Sequence, residues 1–240
     1  MRAEEHTHDQ AMRAKEHELN LRKQIYLDAA EAIALGMASI TEIQNLNKSA
    51  LEVRDAFAKR ASGTARLHVV ASEEVALKFA TLYRQLDDTF MTLRVDRIAL
   101  DDMRAETLRH ASMRDHYQKS TAKLADLVRE GHLAGSMTNE RFAALNALFE
   151  RESKLAAEHD ASHTKLAQTL RPLHLEFTKH CYAEHARLSK LTIPLIAAVR
   201  RDMGIPINEE TYLEVVTPNE DNLKQLRKLF GLPAEQLTQP

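Results

Sequence analysis

Two histidines four residues apart, His159 and His163, stand where an apolar stripe would carry leucine. From Phe142 the 3,4-spaced positions run Phe142, Leu145, Phe149, Glu152, Ala156, His159, His163, Leu166, Leu170, Leu173, Phe177, His180 and Glu184. Residues at i and i+4 share a helix face, so the two imidazoles point to one side of one helix. A third imidazole and a carboxylate from a neighbouring helix would complete a shell of the kind that holds zinc or iron. Glu106 and His110, also four apart, supply such a pair. The chemistry open to Glu106, His110, His159 and His163 is therefore binding of a divalent transition metal. The competing reading is a polar layer that pins helix register, or one that titrates near neutral pH. Register is favoured by the lack of a tight motif: neither HExxH nor the paired ExxH set of di-iron bundles occurs. A single ExxH, Glu5 with His8, lies at the N-terminus.

A second polar group sits further along the same stripe. His180 and Glu184 are four apart, as are Cys181 and His185. A cysteine facing a histidine is the raw material of an activated thiol, although a lone helical cysteine more commonly fills a small core position. Asn47 falls on the apolar seam of the first helical segment. With Asp87 and His180 it would make a buried, hydrogen-bonded register pin. The sequence offers no other catalytic set. It has no phosphate-binding glycine loop, no nucleophile elbow and no CxxC pair, so a non-enzymatic role is expected.

These side chains must be positioned by long helices. Apolar residues make up 44% of the 240 and charged residues 28%, with only 6 Gly, 6 Pro and no Trp. That balance reads as helix rather than sandwich or α/β fold. Breakers cluster at residues 61–72, 130–138, 204–208 and 217–219, which leaves three helices over about 9–60, 73–129 and 139–203. At 1.5 Å per residue each would span about 75–95 Å. Short connections make neighbours antiparallel. The expected fold is thus all-α, an elongated antiparallel bundle of three long helices covering 1–203, the third kinked at Pro172. A short helical tail, 204–240, would carry helices near 209–215 and 220–230 capped by Asn208 and Asn219. The other arrangement is a compact bundle of five or six shorter helices, with helix two broken where its stripe thins between 101 and 121.

The hairpin connections set levels. A turn near residue 134 places His159 level with His110, and His163 level with Glu106. A turn near residue 67 brings Tyr26 or Asp28 to the rim of the same layer, within about one helical turn.

The net charge of −2 gives no pull toward nucleic acid. One cysteine, Cys181, excludes an internal disulfide and suits a cytoplasmic location. The most apolar stretches, 25–43 and 191–199, are respectively charged and too short to cross a bilayer, so no membrane span is expected. Three stretches carry a resemblance: YLDAAEAI from Tyr26, HVVAS from His68 and RRDMGIPI from Arg200. Together they resemble uncharacterised bacterial long-helix, coiled-coil-like proteins, some anchored by an apolar segment upstream of the first helix. The resemblance implies a helical layout and peripheral membrane contact, but no activity. The residues point first to a structural or interaction protein, an elongated helical scaffold or adaptor with protein partners or a homo-oligomer. Metal binding through the His/Glu layer is the second reading, and peripheral membrane association the third.

Overall fold

A computed structural model describes residues 2–59 and 66–206, with side chains from residue 12. The fold is all-α, and its long helices pack antiparallel. In chain order the elements are α1 (Arg2–Glu42), α2 (Ala50–Ala58), α3 (Leu67–Val70), α4 (Glu73–Leu133) and α5 (Asn139–Asp202). The expected tail helices, their caps Asn208 and Asn219, and the side chains of Glu5 and His8 lie outside the described residues.

Helix ends follow local chemistry. The N-terminus of α5 is capped by Thr138, whose Oγ1 accepts from the Arg141 N–H at 3.2 Å. The turn before it passes through Gly135 at φ 63°, where a side chain would be strained. Past the C-terminus of α5, Gly204 adopts φ 68°, and the Ile205 N–H returns to the Arg200 carbonyl at 2.8 Å. α5 runs uninterrupted through Pro172 and Pro194.

The first long helix differs from expectation. It stops at Glu42, and the chain turns through 43–49 before α2 begins. The cause is a capping box. The Ser49 side chain accepts from the Glu52 N–H at 3.2 Å, while the Glu52 carboxylate accepts from the Ser49 N–H at 2.6 Å. Upstream, the Asn45 side chain accepts from the Asn47 N–H at 3.0 Å and stabilises the turn. The S-x-x-E signal outweighs the heptad pattern that runs across it.

The chain forms two compact units. The first comprises Met1–Asp96 and Phe177–Pro240, the second Arg97–Glu176. In the first unit α5 is antiparallel to both α1 and α4, so α1 and α4 point the same way. The core lies where the three meet. Ile25, Ala29 and Ile40 of α1 are buried, as are Phe79, Leu86 and Phe90 of α4 and Cys181, Leu188 and Ala197 of α5. α2 closes the side, its Phe57 ring stacked on Phe90 at 3.7 Å between centroids. At one end the buried Tyr26 hydroxyl donates to Asp202 of α5. Burial, then the Asp202 carboxylate, pushes that hydroxyl's pKa well up.

The second unit is an antiparallel pair, α4 against α5, closed by the 134–138 turn. Few of its side chains are buried. Arg97, Leu100, Thr107 and Ala156 are, while the rest of both stripes is half-buried or exposed.

Candidate functional site

The second unit holds the histidine layer. His110 of α4 and His159 of α5 meet ring to ring, Nδ1 to Nδ1 at 2.9 Å, with centroids 5.1 Å apart. A hydrogen bond of that length needs one nitrogen protonated and the other bare, so the two rings must be in different tautomers. Tyr117, two turns from His110, lies flat on His159 at 5.6 Å and 12° between planes. Arg114 spans the pair's flank, 2.8 Å from Asp115 and 3.3 Å from Asp160. Hydrogen bonding to Asp115, then to Asp160, raises the guanidinium's pKa. The thinned stripe of helix two therefore holds a polar, aromatic seam rather than a break, because Met103, Thr107, His110 and Tyr117 still face α5 at helical spacing.

The layer differs from a metal shell. Glu106 reaches only to 4.0 Å from His110 Nε2, and half of its side chain stays exposed. His163 is half-buried one turn from His159 and makes no hydrogen bond, ion pair or ring contact among the described residues. The facing Nδ1 atoms of His110 and His159 are spent on each other. Among the described residues no group of three or more His, Cys, Asp or Glu side chains comes together to hold a metal ion. Tyr26 and Asp28 are not at the rim. Tyr26 is held by Asp202, and Asp28 accepts from Gln24 at 2.8 Å. Levels counted through the first connection fail because α1 ends at Glu42 and runs parallel, not antiparallel, to α4.

The first unit holds the second polar group. Here Arg187 is the centre, a residue the sequence pattern passes over. It donates to Gln85 at 2.8 Å and Thr89 at 2.9 Å, and pairs with Glu184 at 2.8 Å. The spacing carries the signal: Arg187 is three residues from Glu184 on a stripe that faces α4. His180 lies 3.6 Å from Asp96. Thr89, His180, Glu184 and Arg187 line a groove of about 360 Å³ with Asp88, Thr92 and Leu93. Asn47 is not among them. It is exposed in the turn between α1 and α2.

Cys181 is fully buried, at 0% exposure. Burial lowers the pKa of His185, the opposite of what a thiolate-stabilising imidazolium requires. Cys181 thus fills a core position, and His185 is half-buried one turn along α5. Arg97, which the stripe also hides, is 1% exposed and pairs with Asp101 at 3.0 Å. Its place one turn after Leu93 was the available clue. Among the described residues no helix is long and apolar enough to cross a membrane. Comparison of the chain with family models, curated proteins and solved structures finds no match.

Proposed function

We propose that this chain is a non-enzymatic helical interaction protein whose α4–α5 hairpin, Arg97–Glu176, pairs with the same hairpin of a second copy. The observation that carries this is the hairpin's uncovered apolar surface. Leu108 is 57% exposed, Phe142 44% and Leu148 45%, with Leu127 and Phe149 close behind. Two helices have one mutual seam and no interior, so apolar side chains beside that seam need a further helix to cover them. Covering the exposed half of each such Phe or Leu contributes roughly 1 kcal/mol. Two hairpins meeting about a two-fold axis make a four-helix bundle, the simplest closed solution.

Charge supports a like partner. Basic and acidic side chains balance between residues 97 and 176, so two copies meet without net repulsion. A cytoplasmic setting goes with the lone, buried Cys181.

The test is light scattering behind size exclusion on the full chain and on the double variant Phe142→Glu, Phe149→Glu. The full chain should run at twice its 27.2 kDa mass and the variant at the monomer mass. A monomeric full chain at high micromolar concentration would reject the reading.

A further inference from the structure

A different surface, in the first unit, has the makings of a small-molecule site. A groove of about 330 Å³ opens where α1, α3, α4 and the end of α5 meet. Its floor and walls are almost wholly apolar, from Ala29, Ile33, Leu67, Phe79, Leu195 and Val199. Its polar groups include two cations, Lys23 and Arg200. Lys23 is exposed and has no ion-pair partner among the described residues. Arg200 spends one Nη2 proton on the Pro206 carbonyl at 3.1 Å, and its Nε is buried with no hydrogen-bond partner.

The carboxylates nearby are committed elsewhere. Asp202 takes the Tyr26 hydroxyl and faces Arg22, Asp28 takes Gln24, and Glu74 takes Arg201. The charge that the Lys23 ammonium and the Arg200 guanidinium bring to an otherwise apolar groove is complemented by a carboxylate, whose planar geometry matches the guanidinium's outer N–H groups.

We propose that this groove binds a free long-chain carboxylate, its alkyl chain lying along the apolar walls and its head group held by Arg200 and Lys23. The volume lies at the lower end of the roughly 300–1,000 Å³ of small-molecule sites, which suits one chain rather than a two-chain lipid. The two cations exclude a cationic amphiphile. The proposal is independent of the hairpin pairing described above.

Titration calorimetry of the full chain with dodecanoate, kept below its micelle-forming concentration, tests it. One dodecanoate should bind per chain, and dodecyltrimethylammonium should not bind. The double variant Lys23→Glu, Arg200→Glu should weaken binding by about tenfold or more. Ala30→Trp, at an exposed position lining the groove, should abolish it with the circular dichroism melt unchanged; if that variant melts early, Leu27→Asp on the exposed rim gives the same readout. No saturable uptake, equal uptake of the cationic amphiphile, or uptake indifferent to these variants would overturn the proposal. So would uptake only from anionic vesicles, which would assign the surface to membranes. A photo-crosslinker replacing Leu27 that couples to the same chain or to a second copy, undiminished by dodecanoate, would give the groove to protein and overturn it as well.

Discussion

The two units use the same helices to opposite ends. In Met1–Asp96 with Phe177–Pro240, three helices and the short α2 surround a filled interior, and Phe79, Leu82, Leu86, Phe90 and Leu93 of α4 are nearly inaccessible. In Arg97–Glu176 the same α4 meets α5 alone among the described residues. There its stripe turns polar and its apolar residues stay wet. Burial comes from the number of neighbours, not from the helix itself. A helix with two partners can hide a stripe more than about 100° wide, whereas a pair hides only the seam. The polar residues follow the same division. In the first unit the polar groups sit at the margins of the core, Tyr26 with Asp202 at one end and Arg187 with Gln85, Thr89 and Glu184 along its side. In the pair, histidine, tyrosine and arginine can meet at the seam and still reach water.

Substitutions can break or sharpen this contrast. The largest effect is expected from Phe90→Ala in the first unit, a loss of about 3–5 kcal/mol in urea unfolding, against under about 1 kcal/mol for Leu108→Ala in the hairpin, both read in the monomeric Phe142→Glu, Phe149→Glu background. Equal losses would erase the distinction. Next is Asp101→Ala, which takes the carboxylate from the buried Arg97 guanidinium and should cost about 1–3 kcal/mol. That would make this charge pair the hairpin's most sensitive point, read by the same unfolding curves.

The histidine pair gives a smaller and more specific signature. His110→Leu alone leaves His159 Nδ1 without its partner and should cost about 1 kcal/mol, whereas His110→Leu with His159→Leu restores an apolar seam and should be neutral or stabilising. A double-mutant cycle reads this directly, and additive losses would show that the hydrogen bond contributes nothing.

The smallest effect concerns pH. Burial lowers the folded-state pKa of His185, so the unfolded chain binds the proton more readily. The contribution is full above the unfolded value of about 6.5 and shrinks as pH falls through it. The urea midpoint of His185→Gln should therefore fall less than that of the parent between about pH 7 and pH 5. A steeper fall would contradict the sign.

Much of this arrangement was legible. The α4–α5 levels came out of periodicity and one short turn, because a five-residue connection leaves two long helices little freedom of register. That is why His110 and His159 meet. Glu106 and His163 do not join them: Glu106 stays half exposed, 4.0 Å from His110 Nε2, and His163 lies one turn further along α5. The end of α1 was written in Ser49 and Glu52 but masked by a continuing heptad pattern. Missing it reversed the direction of α1 relative to α4 and misplaced Tyr26 and Asp28.

By itself, then, the sequence determined the helices, their caps and the pairing of α4 with α5, because propensity, capping and loop closure act over a few residues. Which stripes are covered was decided only in three dimensions. The interior of Phe90 and Cys181, the burial of Arg97 and the open faces of Leu108 and Phe142 all depend on how many helices arrive at each level. That number is set by where α1 stops and α2 folds back, a long-range consequence of one local capping box.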